Sequence, residues 1–213
     1  PLHRLETVYR RLIEHLGTAD TASGAFRGVI DGWFYALEQD VLADASVDPN
    51  DAEELLSRTD TLMEARIATI SKTAPAFSAV LRTYRRALAA GDGMLADGLI
   101  SWLSGQPNVA ASVKRAAGIK GDLDHFGATN FLVGLLTILR DSGYSGLVMV
   151  LDEVETLQRM RTDTREKGLN ALRQWIDEID AGRYPGLYLV ITGTPAFFDG
   201  PQGVQRLAPL AQR

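Results

Sequence analysis

Two uninterrupted apolar runs limit what this chain can fold into more than anything else in it: Leu147-Val148-Met149-Val150-Leu151 and Leu187-Tyr188-Leu189-Val190-Ile191. Short apolar runs bounded by polar and turn residues read as strands buried on both faces, the kind found in parallel sheets covered by helices. Between them lies a segment with Leu169, Leu172, Ile176 and Ile179 on one helical face, stopped at Gly182 and followed by the turn Tyr184-Pro185-Gly186. Strand, helix and strand in so short a span make a βαβ unit, for which a right-handed crossover is expected.

Everything before Gly146 reads as helix. Leu5, Val8, Tyr9, Leu12, Ile13 and Leu16 recur at three- and four-residue spacing, with Gly17 as a natural stop. A second helix is expected over Phe26 to Leu42. Asp48-Pro49-Asn50-Asp51 then makes a turn and N-cap for a charged helix reaching Lys72. Pro75 fits a first-turn proline, ahead of the stripe Phe77, Val80, Leu81, Tyr84 and Leu88. Short helices follow around Leu95–Leu103 and Val109–Ala117, and Phe131, Leu132, Leu135, Leu136 and Leu139 mark a strongly apolar one. The expected architecture is therefore helix-rich α/β: a mainly helical region over 1–120 and a βαβ region over 121–213.

Composition narrows the chemistry. At 213 residues and 46% hydrophobic the chain can bury one core with a helical subdomain. It has no cysteine, which removes disulfides and thiolate metal sites and is compatible with a reducing cytoplasm. His3, His15 and His125 lack metal-ligand spacing. A net charge of −5 argues against a broadly basic nucleic-acid surface while leaving room for a local patch such as Lys114, Arg115 and Lys120. The apolar run Phe131–Leu139 is too short to span a bilayer, and no secretory signal is visible.

The first strand ends abruptly in Asp152-Glu153, where open α/β sheets place their ligand crevice. This is the layout of a Walker B strand in a P-loop ATPase: the first acid orients Mg²⁺, usually through water, and the second polarises the attacking water. The bland alternative is an acid pair that ends a strand and caps a turn. The second strand ends in Thr192-Gly193-Thr194-Pro195, which places hydroxyls beside the acids if the strands are neighbours. ATPases of the AAA+ type put a polar sensor residue there, and either Thr192 or Thr194 fits; plain turn chemistry is the competing account. Past the sensor strand, Arg206 and Arg213 stand where an arginine finger donated to a neighbouring subunit is expected, and a solvated helix face is the simpler account of either one. Trp33, Trp102 and Trp175 fall in amphipathic segments, where packing is a sufficient role.

DEVETLQR at 152–159, LNALRQ at 169–174 and ITGTPAFF at 191–198, with GVIDGWFYALEQDVL and GLISWLSGQPNVAASVKR upstream, resemble the BrxC/BrxD-like ATP-binding proteins of the bacterial BREX phage-defence system, nearest the BrxD branch. The resemblance covers nearly the whole chain. It implies an AAA+-like P-loop ATPase that uses ATP and Mg²⁺, forms homo-oligomers, and acts with other defence proteins and with DNA. By motif, Asp152 and Glu153 carry over as the Walker B acids, with Thr192 or Thr194 as sensor.

One departure matters. Family members carry a GxxxxGK(S/T) phosphate loop, and nothing here matches it; Ile70-Ser71-Lys72-Thr73 has no glycines and lies in a helical stretch. In family order that loop would precede Pro1, so the expectation is an N-terminally truncated chain that binds ATP weakly or not at all. The strand edge left beside the sensor strand is expected to be covered by a helix or another subunit.

Overall fold

The computed structural model describes residues 2–212. Seven helices come first: α1 (Leu5–Glu14), α2 (Phe26–Leu42), α3 (Ala52–Thr73), α4 (Pro75–Ala89), α5 (Gly93–Leu103), α6 (Ala111–Ala116) and α7 (His125–Asp141). Strand β1 (Leu147–Leu151), a 3₁₀ segment (Val154–Arg159), α8 (Thr162–Asp180) and β2 (Leu187–Ile191) form the βαβ unit. Short helices α9 (Pro195–Asp199) and α10 (Ala208–Ala211) follow.

The helix starts obey local chemistry. Asp51, Asp92 and Asp124 each accept a hydrogen bond from the backbone N–H three residues on, at 2.9, 3.0 and 2.7 Å, which satisfies one of the orphan donors of α3, α5 and α7. Pro75 occupies the first turn of α4, where its missing N–H costs nothing.

One large core joins the helical block to the sheet. Ile30, Trp33, Phe77, Leu81, Tyr84, Leu99, Leu103 and Leu135 lie at its centre, and Met149, Leu187, Trp175 and Tyr184 reach into it from the βαβ unit. Helix α7 packs against α1, α2 and α3, so the apolar helix next to the sheet is bound to the opening half of the chain. Each of its buried leucines contributes about 1.5–3 kcal/mol of transfer free energy. The indole N–H of Trp33 donates to Asp141 at 2.7 Å, and Arg66 pairs with the same carboxylate, which fastens the C-terminal end of α7 to α2 and α3. A smaller core, formed by Val154, Leu157, Leu169, Leu172, Phe197 and Leu210, lies under the turns that follow the two strands.

The strands pair in parallel with Leu147 opposite Leu187 and Leu151 opposite Ile191, a constant offset of forty positions. Gly146 and Gly186 meet at the start of the pair: a Cβ on Gly146 would strike the Gly186 carbonyl oxygen, so only glycine permits this approach. Burial on both faces, the expectation from the apolar runs, does not hold. Met149 is buried, but Val148, Val150 and Tyr188 are 62%, 55% and 68% exposed. The helices cover one face of a sheet that has two strands among the described residues, and the other face has no layer over it. No helix is long and apolar enough to cross a membrane among the described residues.

Candidate functional site

The constant register carries past the strand ends and sets Asp152 opposite Thr192. Three contacts fasten the two turns together. Thr192 N–H donates to the Leu151 carbonyl at 3.0 Å, Val154 N–H donates to the Thr192 carbonyl at 3.2 Å, and the Thr192 hydroxyl donates to Asp152 Oδ1. The same oxygen accepts from Glu153 N–H at 2.9 Å. Asp152 Oδ1 is therefore occupied from two sides, and its second oxygen has no protein hydrogen bond among the described residues.

Glu153 stands out in its backbone. Its φ and ψ of 54° and 42° lie in the left-handed region, where a non-glycine residue pays steric cost between Cβ and the carbonyl oxygen. Its side chain is exposed and makes no hydrogen bond or ion pair among the described residues. Backbone strain held at an exposed, unpartnered acid is the pattern found at active sites, where geometry rather than stability dictates the conformation.

The two threonines separate. Thr192 is tied to Asp152, whereas Thr194 is exposed and serves as the N-cap residue of α9, its carbonyl accepting from Phe197 N–H at 2.9 Å. Arg206 does not approach the acids; its guanidinium pairs with Glu166 of α8 at 3.1 Å. Arg213 lies outside the described residues. Of the basic cluster, Lys114 is held by Asp122 at 2.6 Å, and this contact keeps the Asp122 carboxyl below the usual carboxylate range.

Two residues belong to this site that the motif reading passed over. Gly193 has no room for a side chain: a Cβ would lie 2.9 Å from Val154 Cγ2 and 3.3 Å from both Glu155 Oε2 and Phe198 Cε2. Glu155, the third acid of the Asp-Glu-Val-Glu string, turns inward against that glycine. Its Oε2 is shut from water and has no hydrogen-bond partner among the described residues. The string itself was the available signal. Gln158 adds a further tie, its amide donating to the Ala196 carbonyl at 3.0 Å.

Beside the acids a cleft of about 540 Å³ opens between α1 and the outer edge of β1. Val8, Leu12 and Leu16 wall one side, the β1 residues the other, and Asp152 and Glu153 stand at one end. Its volume is in the range of small-molecule sites. No group of three or more His, Cys, Asp or Glu residues able to hold a metal ion occurs among the described residues. A Mg²⁺ ion does not require one, because it keeps several waters and is bound through one or two carboxylates plus substrate phosphates. The free oxygen of Asp152 fits that demand; a phosphate cradle of glycines and lysine is not among these residues.

No curated protein and no solved structure matches the chain. A family match extends over residues 1–213, and the chain belongs to the family described as BREX system ATP-binding protein BrxC/D.

Proposed function

We propose that this chain carries the acid and sensor half of an AAA+-like ATPase site, and that ATP hydrolysis there drives engagement of other BREX proteins and of DNA. The observation that supports this most is the hydrogen bond from the Thr192 hydroxyl to Asp152 at the carboxyl ends of two parallel strands, in a member of an ATP-binding family. Parallel sheets gather ligands at that end, and a hydroxyl joined to an acid supplies both a charge and a directed donor.

In this reading Asp152 is the carboxylate that would hold Mg²⁺, with Thr192 fixing which of its oxygens is free. MgATP, when bound, supplies the phosphoryl group and the cation that neutralises developing charge on its oxygens. Glu153, exposed and held in a left-handed turn, accepts a proton from the attacking water. Thr192 orients that water and the terminal phosphate once its single O–H has left Asp152. The phosphate cradle is a separate segment that pairs beside β2, whose outer edge has no strand against it among the described residues. Arg206 is poised on the α8 surface by Glu166 and acts on a neighbouring subunit's nucleotide in a homo-oligomer; Arg213 is the alternative donor.

The test is Glu153→Gln in the full-length protein. Turnover should fall by about a hundredfold or more while MgATP binding is kept, as expected when a general base is removed without loss of size. Unchanged turnover would sink the assignment. A second reading, a non-catalytic helical interaction module in which the βαβ unit merely supports a surface, is favoured by the missing glycine-lysine loop. A full-length protein that neither binds nor hydrolyses MgATP selects it.

A further inference from the structure

Glu155 is a half-buried acid with one oxygen, Oε2, shut from water, and the proposed chemistry leaves it without a role. Its backbone cannot drift from the sensor turn, because Val154 N–H is bonded to the Thr192 carbonyl at 3.2 Å. Its Oε2 lies against Gly193, closed to water and without a donor among the described residues. On the same turn the backbone N–H groups of Gly193 and Thr194 have no protein acceptor among the described residues. A buried acceptor oxygen without a donor thus lies beside a turn whose two exposed N–H groups are free to turn toward it. A carboxylate oxygen sequestered in this way is costly, and pairing it with those N–H groups removes the cost.

We propose that Glu155 is a positioning residue whose carboxylate accepts from the N–H groups of Gly193 and Thr194 and so holds the sensor turn in its nucleotide-loaded placement. The inference rests on the ATPase reading above. The unloaded turn is restrained by the Thr192 hydroxyl on Asp152. A cation drawn to the free oxygen of Asp152 withdraws charge from the carboxylate, weakens its bond to the Thr192 hydroxyl and releases that hydroxyl toward the ligand. The turn then pivots at Gly193, where the absence of a side chain leaves room, and its N–H groups close onto Glu155. The loaded state is in this way reported from the acids to α9, which begins directly after the turn.

The experiment is site-resolved amide exchange of Gly193 and Thr194 in the full-length protein, with and without MgAMP-PNP. In the unsubstituted protein, nucleotide should slow exchange of both amides about tenfold, the effect of one hydrogen bond to a charged acceptor. Glu155→Gln keeps an acceptor oxygen at the same reach without the charge and should retain part of that protection. Glu155→Asp keeps the charge but is shorter by one methylene, and it should lose the protection while still folding; Glu155→Leu should lose it as well. Protection in the Asp and Leu variants as strong as in the unsubstituted protein overturns the assignment, because the nucleotide itself then covers the amides. Failure of the unsubstituted protein to bind MgAMP-PNP removes the ATPase reading together with this one. Binding with indifferent Glu155 variants removes only this one.

Discussion

Replacing Glu153 by glycine should stabilise the protein while abolishing turnover. The residue sits at φ 54° and ψ 42°, and such a left-handed conformation costs a non-glycine residue about 1–2 kcal/mol. Glycine removes that strain but brings a more flexible unfolded chain, which costs about 0.5–1 kcal/mol in return. Nothing else is lost: the side chain is exposed and unpartnered, and the Glu153 N–H bond to Asp152 remains available. The net gain is about 0.5–1 kcal/mol, which for a domain of this size raises Tm by about 1–4 °C. Urea and thermal unfolding measure the gain, and Glu153→Gln is the control because it keeps the strained backbone while altering only the acid. The glutamine variant should melt with the parent protein and lack turnover; the glycine variant should melt higher and lack turnover too. A glycine variant that is less stable than its parent would refute the claim that strain is stored at this acid.

Two further perturbations test the surrounding structure. Gly193→Ala should destabilise by about 1–3 kcal/mol through overpacking against Val154, Glu155 and Phe198, measured by denaturant midpoint, and should depress ATPase activity beyond the fraction unfolded. Burial, together with the hydrogen bond to Asp31, pushes the Tyr84 phenol up to about 12 from an ordinary 10.0, against the opposing effect of Arg27. Folding favours the protonated phenol, so this stabilisation is fully present below pH 10 and is lost as pH rises through about 12. Tyr9 and Tyr184 are pushed up by burial in the same direction. Tyr84→Phe should therefore make the alkaline loss of stability shallower without removing it, read from Tm across pH 9.5–12.

Most of the elements were legible in the chain, though the 3₁₀ segment after β1 and the short helices α9 and α10 were not. Both strands run where the apolar runs put them, and α2, α3 and α4 follow from their stripes, their Asp51 cap and Pro75. Periodicity reports which residues avoid water in some context, but not how many layers a sheet has. That is why Val148, Val150 and Tyr188 read as core and stand exposed. The choice between Thr192 and Thr194 was also beyond spacing, since both flank one glycine; strand register brings only Thr192 to Asp152. The left-handed turn at Glu153 could not be read, because glutamate has no preference for that conformation and only the tertiary structure imposes it. Glu155 was visible as a letter, yet its inward orientation depends on the bare Cα of Gly193.

The glycine pair at the opposite end of the strands sets how the acid and the threonine are aligned. Gly146 rests on the carbonyl of Gly186, five residues before either turn, and that seat decides which residue of one strand faces which of the other. Shift it by one position and every side chain of β1 changes face, so that Asp152 would meet Gly193 or Ile191 in place of Thr192. The hydroxyl–acid contact thus has its tolerance defined by a backbone collision a full strand length away. A damaged seat would leave every acid and threonine present in the chain and none of them in step.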